Sequence, residues 1–150
     1  MWKDTLNKVI EEMSEYNRTP PPPASDMDIQ TMLAELPKLG NVKSLPDTYI
    51  EFLKIMNGLN WNGLFIYSSK SMPIAGTDVE ISGIVAANEI WRDFEPHEQY
   101  LFVGDGNISL YGQDLNTGEY KEFDRSSDTV IQVYEDFESM LIAALNTSLD

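Results

Sequence analysis

His97 is the only histidine in the 150-residue chain, and it stands between two carboxylates in Glu95-Pro96-His97-Glu98. A histidine beside acids can move protons or bind a metal. A metal centre needs three or four converging ligands, however, and neither a second histidine nor any cysteine is present. The segment therefore reads as a polar loop with an exposed histidine. Ser68-Ser69-Lys70-Ser71 offers hydroxyls next to an amine. It lacks the strained elbow and the oxyanion donors that a serine nucleophile requires, so it reads as a solvated loop. Asp105-Gly106-Asn107-Ile108-Ser109 starts like a calcium loop. The position that needs glycine is Leu110 and the position that needs glutamate is Asn116, so the pattern fails. No glycine-rich phosphate cradle occurs. Paired carboxylates could in principle hydrolyse a glycoside, but nothing in their spacing singles out a pair. The expectation is a protein without a catalytic residue, a bound metal or a cofactor, and a carboxylate hydrolase is the remote alternative.

Carboxylates dominate the composition: 25 acidic against 10 basic side chains, a formal net charge of −15. The excess is steepest in residues 101–150, with 2 basic and 10 acidic side chains. Such a surface repels nucleic acid and anionic membrane, and it attracts a basic protein. The acids expected to face a partner lie in loops and at strand edges: Asp78, Glu80, Glu95, Glu98, Asp105, Asp114, Glu119 and Glu122. Trp61, Trp91, Tyr100, Tyr111 and Tyr120 could anchor an interface, but for each of them the core is the better expectation.

The elements that must position these residues follow from periodicity. Trp2, Leu6, Val9, Ile10 and Met13 form one stripe of a helix over Trp2–Tyr16, with Glu12 among the residues facing water. Pro20 to Pro23 make a stiff polyproline connector. A second helix starts at Ser25 or Asp26, buries Ile29, Met32, Leu33 and Leu36, and ends by Pro37 and Gly40. A third runs from Pro46 with Ile50, Phe52, Leu53, Ile55 and Met56 on a broad apolar face, and Asn57-Gly58 stops it. Asn62-Gly63 then opens a strand over residues 64–67.

Further on, residues 77–81 alternate as a strand or extended excursion. Ile84–Ala87 reads as a short strand, and Asn88 as the cap of a short helical piece to Asp93. Tyr100–Val103 and Ile108–Tyr111 flank a Gly104–Asn107 turn as a hairpin, and residues 119–123 add a third strand. Val130–Val133 is either a last strand or the lead-in to a helix over residues 134–145, whose stripe is Phe137, Leu141, Ala144 and Leu145. The fold class is α+β: a mostly antiparallel sheet flanked by N-terminal helices and a C-terminal helix, in one domain. The N-terminus is charged and lacks a signal-length apolar core, and no stretch reaches membrane-spanning length. With no cysteine, a cytoplasmic location is expected.

The pattern Leu45-Pro46-x-x-Tyr49-x-x-Phe52-Leu53-x-x-x-Asn57-Gly58, followed by Asn62-Gly63-Leu64-x-Ile66-Tyr67 and a late acidic-aromatic helix, resembles the SUKH superfamily. The Gly104-Asp105-Gly106 turn, Tyr111 and the Asn116-Thr117-Gly118 turn resemble its strand meander. The likeness spans Trp2 to Leu145 and is nearest to the bacterial YrhA-like branch. The group holds fungal cell-wall regulators of the Smi and Knr type and many bacterial immunity proteins. The resemblance implies an immunity protein that neutralises a cognate toxin domain, such as a nuclease, through its acidic surface. The alternative it implies is a non-catalytic interaction scaffold with no toxin partner.

Overall fold

Helical and alternating patterns resolve into five α-helices and eight strands in the computed structural model, which describes residues 1–74 and 76–150. Helix α1 (Trp2–Glu15) buries Trp2, Leu6, Val9 and Met13, the spacing of one helical face. Helix α2 (Asp26–Glu35) starts with a capping box: the Ser25 hydroxyl accepts from the Asp28 N–H, and the Asp28 carboxylate accepts from the Ser25 N–H. A 3₁₀ turn, Leu36–Leu39, closes it. The prolines between α1 and α2 are tied down by backbone groups. Asn57 N–H donates to the Pro22 carbonyl at 2.9 Å, and Ala24 N–H donates to that of Leu53 at 2.8 Å.

Helix α3 (Asp47–Ile55) buries Tyr49, Phe52 and Leu53, while Ile55 is 38% exposed and so leaves the face expected for it. Leu33 of α2 is likewise 38% exposed. After α3 the structure differs from the sequence expectation. Strand β1 (Leu59–Trp61) comes first and pairs with β2 (Leu64–Ile66), so Asn62-Gly63 is the hairpin turn between them. Both turn residues have positive φ, 47° and 85°, as a two-residue turn between twisted strands demands. A side chain at Gly63 would also meet the Asn107 amide at 2.6 Å.

The main sheet runs β1-β2-β5-β6-β7-β8, antiparallel at every join, through β5 (Tyr100–Asp105), β6 (Ser109–Asp114), β7 (Tyr120–Asp124) and β8 (Val130–Tyr134). Residues 130–134 are therefore a strand. Helix α5 (Phe137–Thr147) begins at Phe137, where Asp136 caps the Ser139 N–H at 2.8 Å. Two residues each make β3 (Met72–Pro73) and β4 (Glu80–Ile81), a separate ribbon. Strand parity divides the sheet. Tyr120 lies against Phe137 of α5, and α5 packs on α1 and α3. Phe102 and Phe123 point the other way, into a cluster with Tyr100, Trp91 and His97.

Helix α4 (Ile84–Trp91) corrects the expectation of a strand followed by a capped helix. Asn88 is no cap. It is buried in mid-helix, where its side-chain amide donates to the Ile84 and Phe102 carbonyls and accepts from the Phe102 N–H, each at 2.8 Å. The side chain thus replaces a strand neighbour for β5. Asn88→Ala strands both Phe102 groups, each costing about 1–3 kcal/mol when buried unpaired. Urea unfolding should show a loss of at least about 2 kcal/mol, whereas Glu89→Ala on the exposed side of α4 leaves the midpoint in place.

Candidate functional site

Seven of the eight carboxylates expected at a partner surface fall into two physical groups, and Glu119, exposed but in contact with Lys121, stands between them. Asp105, Asp114 and Glu122 are bound into the fold. Asp105, at the end of β5, accepts from the Tyr67 hydroxyl at 2.7 Å and from Arg125 Nη1 at 3.1 Å. Tyr67 in turn accepts from the Trp91 indole N–H at 2.8 Å, and the Arg125 guanidinium lies 5.7 Å from the Trp91 ring. These four side chains close a ring of contacts. Burial raises the Asp105 carboxyl above the usual range although Tyr67 and Arg125 both pull it down. Burial, and then the Asp105 charge, pushes the Tyr67 hydroxyl up.

Asp114 is buried at the end of β6. It is paired with Lys121 at 3.0 Å and accepts from the Asn116 N–H at 2.9 Å. Burial opposes its charge, but the Lys121 ammonium and the N–H groups of Asn116 and Thr117 outweigh burial and hold the carboxyl below its ordinary value. Glu119, exposed, adds a looser contact to Lys121 at 3.7 Å. Glu122 accepts from Ser109 Oγ at 2.6 Å and from the Tyr134 hydroxyl at 2.7 Å.

Asp78, Glu80, Glu95 and Glu98 form the second group. All four are exposed, and among the described residues their carboxylates have no hydrogen-bond or ion-pair partner. Glu95 and Glu98 lie on the 3₁₀ turn Glu95–Gln99, and Glu98 lines a groove together with Lys38, Glu89 and Arg92. Asp78 and Glu80 lie on the β3–β4 excursion. Glu80 sits directly across from Pro73 in the ribbon register. Pro73, Met72, Ile74 and Ile81 form one wall of an apolar groove of about 420 Å³, and Pro20–Pro22 of the connector form the other. Asn60 of β1 and Met13 of α1 complete the lining, and Arg18 reaches it from above the Trp61 ring, 5.7 Å away. Thr19 also lines the groove, Arg18 is the charged residue of this lining, and Glu80 stands across the ribbon from Pro73 of its wall.

His97 departs furthest from its sequence expectation. It is buried, not exposed, and packs edge-on against Trp91, Phe94 and Phe102. Nδ1 faces the Trp91 carbonyl and Nε2 faces Asp128 Oδ2, each at 3.0 Å. It fastens the 124–129 turn to the end of α4, which is a structural task. Among the described residues no three histidine, aspartate or glutamate side chains gather as metal ligands. The aromatic residues weighed as anchors pack on the core: Trp61 and Tyr111 are buried, and Trp91, Tyr100 and Tyr120 are partly so. Periodicity also placed Glu12 in water. It accepts instead from the Trp61 indole at 2.7 Å, from Asn62 at 3.2 Å and from the Asp150 N–H at 2.9 Å.

The two bound aspartates titrate with opposite sign. A carboxyl held low in the folded state stabilises above its unfolded pKa of about 3.9, and that stability is lost as pH falls through the folded value. A carboxyl raised in the folded state favours folding at low pH and loses that advantage as pH rises through the folded value. The deficit of Asp114→Asn relative to the parent should therefore widen as pH rises from about 3 to 6, and that of Asp105→Asn should narrow. Urea midpoints at intervals across that range check both.

The comparisons with known proteins agree with this architecture. No curated protein matches the chain. A family model does match, over residues 23–143, from the proline connector into α5. No helix among the described residues is long and apolar enough to cross a membrane. By that family match, which covers most of its length, the chain belongs to the SMI1 / KNR4 family (SUKH-1).

Proposed function

We propose that this chain is a non-catalytic immunity protein that binds a basic toxin domain and blocks it. The observation that carries this reading is the apolar groove between the proline connector and the β3–β4 ribbon, with unpaired Glu80 across the ribbon from Pro73 of its wall and unpaired Asp78 two residues earlier in the chain. An apolar side chain of the partner fills the groove, and lysine or arginine beside it meets the carboxylates. The net charge of −15 steers a cationic partner toward the chain from a distance. Glu95 and Glu98 extend the same attraction on another element. A toxin that acts on RNA or DNA has a cationic groove, which these carboxylates occupy in place of phosphates. Membership of the SMI1 / KNR4 family supports a protein-binding role. The Leu45–Gly58 helix and the Asn62–Tyr67 turn and strand support placement in the bacterial YrhA-like branch.

The test is co-expression with the C-terminal domain of the protein encoded beside this one, scored by growth and then by co-purification at low and high salt. The expected result is restored growth and a complex that weakens as salt rises. Asp78→Lys with Glu80→Lys should weaken that complex at least about tenfold and flatten its salt dependence, with the fold unchanged. Rescue unaffected by this pair of substitutions would remove the groove from the mechanism. A harmless neighbour that forms no complex would favour an interaction scaffold without a toxin.

A further inference from the structure

The two edges of the main sheet are unlike. Strand β1 is three residues long, and Asn60 faces the groove that the proline connector borders. Strand β8 is five residues long and ends the strand order with a neighbour on one side only. Alternate N–H and C=O groups along such an edge point away from β7 and lack ladder partners. One outward carbonyl has a substitute: the Gln132 side-chain amide donates to the Val133 oxygen at 3.0 Å.

The side chains make this edge unusual. Val130-Ile131-Gln132-Val133-Tyr134 contains no charge, no lysine and no proline, the devices that normally blunt an edge strand. Val130, Ile131 and Val133 are 43%, 48% and 43% exposed. Three β-branched side chains on a five-residue open edge have high strand propensity and are only partly covered by the fold. Acids outnumber bases at its ends: Asp124, Arg125 and Asp128 precede the strand, with Arg125 already paired to Asp105, and Glu135 and Asp136 follow it. The charge pattern selects among occupants. A second copy pairing antiparallel through β8 would set its acidic ends against acidic ends, on two bodies that each carry −15. A strand with an uncharged, β-branched middle and basic ends meets the opposite charge at both ends.

We propose that the outer edge of β8 is a docking edge, onto which an extended, basic-ended segment of a partner protein adds as a seventh strand of the main sheet. Main-chain hydrogen bonds supply the affinity, Ile131 and Val133 supply packing on one face, and the flanking carboxylates fix the occupant's charge. The docking edge does not require the partner to be a toxin, and it uses none of the residues that rim the apolar groove.

The experiment titrates the full ¹⁵N-labelled chain with the peptide acetyl-Lys-Val-Thr-Val-Thr-Val-Lys-amide and follows backbone amides. Saturable shifts in residues 130–134 and in β7, with half-saturation below about 1 mM, are expected. N-methylation of alternate peptide residues should abolish them, because it blocks the ladder on that side. Exchanging the terminal lysines for glutamates should weaken binding at least about tenfold. Ile131→Lys with Val133→Lys should do the same to the parent peptide while the α4 and α5 amides keep their positions, which separates loss of docking from loss of fold. Absence of saturable shifts, or shifts that survive N-methylation, would overturn strand addition. Equal binding of the acid-ended peptide would overturn the assignment of a basic occupant. A concentration-dependent doubling of mass in the free chain, with β8 amides already protected, would identify a second copy as the occupant and overturn the proposal.

Discussion

Tyr67 is bonded to three elements, and the packing of the two faces of the sheet depends on it. Its backbone N–H donates to the Val103 carbonyl of β5, which extends the β2–β5 pairing by one step beyond the end of β2. Its carbonyl accepts from the Tyr49 hydroxyl of α3 at 2.6 Å, deep in the core. Its own hydroxyl lies between the Trp91 indole of α4 and the Asp105 carboxylate. A phenol placed this way must both donate and accept, and the two neighbours require one of each. α3 on one side of the sheet and α4 on the other are thus referenced to the same residue. Arg125 completes the arrangement, since it contacts Asp105 and the face of Trp91 together and draws the 124–129 turn toward β5.

That ring accounts for how an acidic chain keeps charge inside a fold. Each bound carboxylate has its own set of donors: Arg125 and Tyr67 for Asp105, Lys121 and turn N–H groups for Asp114, two hydroxyls for Glu122. Arg125 and Lys121 are the only two cations in residues 101–150, and both are engaged this way. A buried carboxylate without such partners would be far costlier than any packing gain at the same position. Asp78, Glu80, Glu95 and Glu98, whose carboxylates have no partner among the described residues, lie on short excursions outside the main sheet, where water solvates them.

Local pattern carries much of this fold. The stripes of α1 and α3, the Ser25 cap and the β5–β6 hairpin follow from spacing and turn chemistry alone. Asn62-Gly63 is a strong hairpin signal, and it reads as the start of a strand only because β1, at three residues, is too short to show alternation. Helix α4 is hidden for a different reason. Ile84 and Val85 favour strands, and an asparagine four residues later reads as a cap. Asn88 is tolerated in mid-helix because Phe102, fourteen residues away, supplies partners that no local window contains. His97 is concealed the same way: its chain neighbours are acids, and its spatial neighbours are aromatic. Among the acids, sequence separates the bound from the free poorly, because the deciding contacts run across the sheet. Asp114, two residues before the Asn116 N–H that it accepts, is the exception that an Asx-turn reading could reach.

The division of labour among the carboxylates bears on why the recognisable motifs specify a fold and not a partner. The residues of the α3–β2 pattern, Tyr49, Phe52, Leu53, Asn57 and Tyr67, are buried; the Tyr49 hydroxyl donates to the Tyr67 carbonyl, and the Asn57 side chain exchanges two hydrogen bonds with Ser69. Changing one disturbs several others. Glu80 sits on a ribbon of two-residue strands that contributes nothing to the six-stranded ladder, Asp78 lies in the connection just before it, and Glu95 and Glu98 sit on a single 3₁₀ turn. Substitution there removes no hydrogen bond of the fold. Surfaces of this kind can be rewritten for a new partner at little cost in stability, because rewriting them leaves Tyr67, Asn88 and the bound carboxylates where they are. On the proposed reading, partner identity is recorded in these loosely held residues, about which spacing and periodicity say least.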